Sequence, residues 1–278
     1  MTLQKSIHEL SEKEGKSVEY GLQDANSAAV YVENLEEFVR FRTKVEITHL
    51  KTKLNFKNKE VLDSGCGPGR LSLIFARYAK KVTGIDFSQS FINIAERERR
   101  NKGIINVEFK CVSVLNMDDI IPEKEKFDII FQGGVLCCMT DEEAKQSLRI
   151  LSNRLKDKNA LLVLREPIQY NNTTQVFDEN IKRTHEDFIA LTRDLNLEMV
   201  YTKETFFICP FYKYYLKIDK DRRKKKFNKY LFRVLFHINV WIDAIVRLFG
   251  NFYLKHFTKK WTVQQKFYIF RYDTDNTG

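Results

Sequence analysis

Residues Val61 to Arg70 read VLDSGCGPGR, and the rest of the chain falls into place around them. Two apolar residues end in an acid, and glycines at 65, 67 and 69 then open onto a second apolar stretch, the pattern of strand, tight turn and helix. Glycines let the backbone turn sharply and approach a ligand closely, and the helix that follows offers free N–H groups and the positive end of its dipole. Asp86 lies 21 positions beyond Gly65, at the end of another apolar run, Lys81 to Ile85. That spacing presents a carboxylate to ribose hydroxyls in a nucleotide-binding βαβ unit.

A dinucleotide fingerprint needs its third glycine three positions after the second, and Arg70 stands there, which argues against NAD. The wording Asp-x-Gly-x-Gly-x-Gly, with Cys66 and Pro68 in the variable slots and an acid closing the next strand, instead resembles the first motif of the class I S-adenosylmethionine (SAM) dependent methyltransferases. The resemblance implies a doubly wound α/β fold with a seven-stranded, mainly parallel sheet. It also implies SAM as cofactor, S-adenosylhomocysteine (SAH) as product, and cofactor contacts from Asp63, Gly65, Cys66, Gly67, Gly69, Asp86 and Phe87.

From Lys59 onward strand and helix alternate in the rhythm of a parallel sheet. The pattern predicts strands at Glu60 to Asp63, Lys81 to Asp86, Val107 to Val112, Phe127 to Phe131 and Leu161 to Arg165. Helices are expected from about Arg70 to Ala79, from Ser88 or Ser90 to Lys102, and from Thr140 to Leu155. Thr140 followed by Glu143 forms a capping box. FDIIFQGGVLCCMTDEE matches the family's fourth strand and the loop after it, where the methionine end of the cofactor and the substrate meet. LKDKNALLVLREP matches the fifth strand, with Asp157-Lys158-Asn159 replacing the usual proline and glycine turn. Where the family commonly has an acid for the adenine amino group, this chain has Ser113, followed by Val114; Asn116 or Asp118 are substitutes. A helix is expected from His185 to about Leu195, a sixth strand from Glu198 to Lys203, and a seventh from Gln265 to Tyr272. The family separates these two strands by a short turn, and here roughly 60 residues intervene.

These landmarks divide the chain into an N-terminal helical cap (1–57), the Rossmann-like core (58–204), a basic amphipathic insertion or lid (205–263) and the final strand with its tail (264–278). Within the insertion, residues 213–260 hold 14 Lys or Arg and 3 Asp, so that 33 basic and 34 acidic residues remain elsewhere. The chain's net charge of +10 therefore resides in one segment. Its apolar part carries a narrow polar stripe on a wide apolar face, which suits a lid packed on the core, an anionic lipid surface, or an RNA phosphate surface.

The 43% apolar content excludes a disordered chain. Five cysteines without a Cys-x-x-Cys pair and a polar start point to a reducing cytoplasm, with peripheral attachment to the inner face of the membrane as an option. No metal set is expected.

Open parallel sheets bind ligands beyond the carboxyl ends of their strands. Gln132 is therefore a cofactor candidate, Gly133 a substrate candidate, and Glu166 and His185 candidates for a general base. Tyr20 and Tyr31 are candidates for the substrate wall. Strand four ends in Gln-Gly-Gly, unlike the Asn-Pro-Pro-Tyr of amino-group methyltransferases, and adjacent Cys137 and Cys138 read as small buried residues. A small-molecule or saccharide acceptor, lipid-linked or surface-glycan, methylated on oxygen, is the favoured expectation. An RNA methyltransferase using the basic insertion, and a non-catalytic SAM-binding protein, are the alternatives.

Overall fold

The structure, a computed structural model, describes residues 36–168, 175–177, 180–208, 234, 238 and 262–273. Along the chain the elements are α1 (Glu36–Lys53), β1 (Glu60–Ser64), α2 (Ser72–Phe75), β2 (Lys81–Asp86), α3 (Gln89–Asn101), β3 (Val107–Cys111), β4 (Ile129–Gly133), α4 (Asp141–Asn153), β5 (Leu161–Pro167), β6 (Gln175–Phe177), β7 (Asn180–Lys182), α5 (His185–Thr192), β8 (Leu197–Ile208) and β9 (Thr262–Tyr272). Short 3-10 helices lie at Val114–Asp119 and Leu136–Cys138.

Seven strands form one sheet in the order β3-β2-β1-β4-β5-β9-β8. The first five are parallel, and β9 returns antiparallel between β5 and β8. Because side chains alternate along a strand, each central strand feeds two cores. Val61, Ile129, Val163, Phe267 and Ile269 face one layer, packed against Leu50 of α1, Phe75 of α2 and Ile92 of α3. Leu62, Ile130, Leu162, Leu164 and Phe270 face the other, packed against Leu148 of α4 and Phe188 of α5. Both faces are covered, as a parallel sheet requires.

The helix expected from Arg70 to Ala79 shortens to Ser72–Phe75. Arg77 and Tyr78 donate to carbonyls three residues back, and the Asn106 side chain donates to Ala76 O and Ala79 O, so the chain tightens and stops in time to enter β2. The Ser88 hydroxyl caps α3, and the Thr140–Glu143 box caps α4. A second box, Thr184 with Asp187, caps α5. The Asp157 carboxylate and carbonyl accept from the N–H groups of Asn159 and Ala160, a side-chain-closed turn that replaces the proline and glycine form. The β6–β7 hairpin was not anticipated, and strands six and seven run longer than expected, as the twelve residues of β8 and eleven of β9.

Candidate active site at the carboxyl ends of the parallel strands

The glycine turn sits where β1 ends between β2 and β4, and it is closed by its neighbours. Gly65, Gly67 and Gly69 have φ of +71°, +55° and +80°. The N–H groups of Gly65 and Cys66 both donate to Ile85 O, at 2.8 and 2.9 Å. Asp86 then holds the turn from β2, since its Oδ2 accepts from Gly67 N at 2.8 Å and its Oδ1 from Ser88 N at 2.9 Å. Each carboxylate oxygen keeps acceptor capacity, so a ribose diol fits onto it. Burial pushes the Asp86 carboxyl up to about 6, against the pull of those two N–H donors. Phe87, next to it, leaves an aromatic ring 39% exposed, a surface suited to a purine.

Asp63 lies beneath the turn rather than at its surface. It is 2% exposed and accepts the Ser72 hydroxyl, which ties the end of β1 to the first turn of α2. Burial raises its carboxyl to about 6 despite Ser72, Arg165 and Arg70. Cys66 is buried, and burial lifts its thiol well above the ordinary range. Ser113 caps the 3-10 turn after β3 by accepting from Leu115 N, and the Val114 side chain is buried in the core. Of the two adenine substitutes, Asp118 is paired with Arg154, and Asn116 is exposed.

Gln132 is fully buried and donates to the hydroxyls of Ser64 and Ser147, pointing into the α4 layer. Gly133 lies against the Arg165 guanidinium, where a Cβ would come within 2.8 Å of Nη2. Arg165 and Glu166, adjacent on β5, turn to opposite faces. Arg165 donates to Glu46 Oε1 of α1 at 2.7 Å, and Arg70 donates to Glu46 Oε2 at 3.1 Å. Glu166 accepts the N–H groups of Gly134, Val135, Leu136 and Cys137, between 3.0 and 3.3 Å. Burial raises its carboxyl, opposed by those donors and by Arg165. His185 stacks on the Tyr268 ring, with Nδ1 3.2 Å from the phenol oxygen. Cys137 is buried and its thiol is raised, first by its bond with the Cys138 thiol and then by burial.

Arg183, Glu46 and Arg70 are placed at this edge although nothing in the sequence marked them as site residues. Tyr20 and Tyr31 lie outside the described residues, as does the basic insertion apart from residues 205–208, 234, 238 and 262–263. Among the described residues no group of three or more His, Cys, Asp or Glu could hold a metal, and no helix is long and apolar enough to cross a membrane.

A family model described as "Methyltransferase domain" matches residues 55–230, well over half of the chain. The chain belongs to this methyltransferase family. Curated relatives of the methyltransferase domain include ubiquinone biosynthesis O-methyltransferases from Coxiella burnetii, 31% identical over 86 residues, and Bradyrhizobium sp., 35% identical over 81 residues. These matches cover 31% and 29% of this chain, which spans about a third of the relatives' length, 35% and 30%. Similar solved structures include a SAM-dependent methyltransferase from Leishmania major (TM-score 0.61, 12% identity, 95% of this chain and 82% of that one). Another is magnesium protoporphyrin IX methyltransferase from Synechocystis with bound SAH (TM-score 0.50, 17% identity, 62% and 78%). At those identities the likeness is one of fold, and the fold is that of the class I SAM-dependent methyltransferases.

The cofactor is SAM, and the residues present fit it. A glycine turn with no room for a Cβ at Gly65 or Gly69, a carboxylate with spare acceptor capacity and an exposed aromatic ring follow one another across the ends of β1 and β2.

Proposed function

We propose that the chain transfers the SAM methyl group to an oxygen of a small-molecule or saccharide acceptor. The observation that carries this is the match to O-methyltransferases over the stretch of domain shared with them. When bound, SAM supplies an electrophilic methyl on a sulfonium. The protein's part is to hold the acceptor in line with it at about 3 Å and to exclude water. Gly65, Gly67 and Gly69 would form the backbone cradle, Asp86 would take the ribose, and Phe87 would cover the base. His185, set on Tyr268, is the candidate for taking the acceptor proton. The Glu166 carboxylate, with four backbone N–H groups on it, suits positioning better than proton abstraction.

A second reading concerns where the enzyme works. Val234 and Ile238 are helical, four residues apart and 39% and 44% exposed. Following the run Lys220 to Lys229 in the sequence, they favour an anionic membrane surface, with a lipid-linked acceptor and a cytoplasmic location, over an RNA partner.

Radiolabelled SAM offered with phenolic, saccharide and lipid-linked saccharide acceptors, and separately with tRNA and rRNA, tests both readings. Label in an ether-linked methyl of a small acceptor is the expected result. Label in RNA, or SAH binding with no turnover on any acceptor, would sink the proposal.

A further inference from the structure

The loop after β4 is held from two sides by buried groups of opposite charge. From β5, Glu166 Oε1 accepts the N–H groups of Gly134 (3.0 Å), Val135 (3.1 Å) and Leu136 (3.3 Å), and Oε2 accepts that of Cys137 (3.3 Å). From the residue before the α5 cap, Arg183 donates through Nη1 to Leu136 O (2.6 Å) and through Nη2 to Met139 O (2.6 Å). Its Nε donates to Asp141 Oδ1 (2.8 Å). Glu166 is 0% and Arg183 1% exposed. Between 134 and 141 the chain has a three-residue 3-10 turn, one backbone bond to β5 (Gly134 N–H to Arg165 O, 2.9 Å) and the α4 capping box at Thr140, and these two side chains add six more bonds to its backbone. One takes the loop's N–H groups, and the other takes its carbonyls and anchors on the first residue of α4.

The loop carries Val135 against the glycine turn. A Cβ on Gly65 would stand 2.2 Å from Val135 Cγ2, closer than the 2.8 Å at which one on Gly69 would meet Phe109. Ser64, the residue before Gly65, is in register with Ile85 on one side and Gln132 on the other, so Asp86 and the 134–137 loop flank the turn from opposite sides. A ligand lying across these strand ends with its ribose on Asp86 would bring its amino-acid end toward Val135 and its neighbours.

Resting on the reading of the glycine turn as the SAM site, we propose that Glu166 and Arg183 are positioning residues for the methyl donor. Together they set the loop so that Val135 closes the amino-acid end of the cradle, while Asp86 and Phe87 hold the adenosine half independently. Arg183 directly follows the β6–β7 hairpin, so it also links that hairpin to the donor site.

The two halves of the donor give separate readouts. SAH spans both, and adenosine engages only the Asp86 side, so calorimetric titration with each distinguishes a displaced loop from a damaged fold. In Glu166→Gln and Arg183→Ala, SAH affinity is expected to fall about tenfold or more, the size of one good polar contact, with adenosine affinity kept within about twofold. Added guanidinium ion should recover SAH affinity in Arg183→Ala, because the cavity retains two carbonyls and the Asp141 carboxylate; potassium at the same ionic strength should not. Val135→Ala breaks no hydrogen bond, so it serves if the buried polar variants do not fold, and it should weaken SAH alone. Equal losses of SAH and adenosine in a folded variant, or no loss of either, would overturn the proposal. Wild-type protein that binds neither ligand would overturn the SAM site itself, a different failure.

Discussion

At the residue scale the cradle depends on two positions with distinct physics. Gly65 has φ of +71° and no space for a Cβ, since one would sit 2.2 Å from Val135 Cγ2. Gly65→Ala is expected to abolish measurable SAH binding by calorimetry. Adding Val135→Ala should restore part of it, leaving the backbone strain of about 1–2 kcal/mol and the weakening that Val135→Ala brings by itself. Asp86 gives a prediction with a pH sign. Its carboxyl titrates at about 6 in the folded protein against an ordinary 3.8, because burial disfavours its charge. The unliganded fold therefore gains stability from this group below about 3.8, and the gain is lost as pH rises through 6. Ribose hydroxyls donate to the charged form, so SAH binding carries the opposite dependence: affinity should fall as pH drops below about 6. Asp86→Asn should bind SAH weakly and flatten that profile, and an unchanged profile would remove Asp86 from the ribose site. Both residues were legible in the sequence, because glycine spacing and an acid closing a strand are local patterns. Arg183 was not legible, because its acceptors are carbonyls more than forty positions away that no residue type advertises.

At the element scale, the strands and helix caps were read from local chemistry, and the departures have tertiary causes. The helix after the glycine turn is short because Asn106, from beyond α3, takes the carbonyls that another helical turn would have used. The β6–β7 hairpin lies in NNTTQVFDENIK, whose polar, turn-forming residues gave no alternating signal. α1 shows how a partner element is keyed to the site: Leu50 packs in the core, while fully buried Glu46 accepts from Arg70 beside the glycine turn and from Arg165 at the end of β5. The helical cap expected over 1–57 covers this helix but gave no sign of the buried pairing. Removing one carboxylate leaves two buried guanidiniums short of a counter-charge. Glu46→Ala is expected to destabilise the protein by about 3–5 kcal/mol in denaturant unfolding. Arg70→Met with Glu46→Ala should recover part of the loss, and a cost below about 1 kcal/mol would mean the pairing is solvated as a surface bridge is.

At the scale of the whole molecule, strand order β3-β2-β1-β4-β5-β9-β8 confirms the fold that ten residues implied, and the last two strands enclose the segment that departs most from it. On the proposed reading the donor site is built from the shared part of the chain, and acceptor choice would fall to segments such as 205–263, whose chemistry is compositional and carries no motif. The run Lys220 to Lys229 concentrates charge there, and the exposed pair Val234 and Ile238 adds an apolar contribution on one side of a helix. Near an anionic membrane each lysine is worth about 1 kcal/mol. Changing Lys224, Lys225 and Lys226 to glutamine should therefore lower affinity for phosphatidylglycerol vesicles on the order of a hundredfold in sedimentation. Raising salt from 0.15 M to 1 M, where the Debye length falls from about 8 to 3 Å, should weaken wild-type binding similarly, with a residue that persists through apolar contact. SAH affinity should not change in the triple variant, since the donor cradle lies on the sheet. Vesicle binding that ignores both the lysines and the salt would place the membrane reading in error, and retained vesicle binding with lost SAH affinity would show the segment to be part of the donor site.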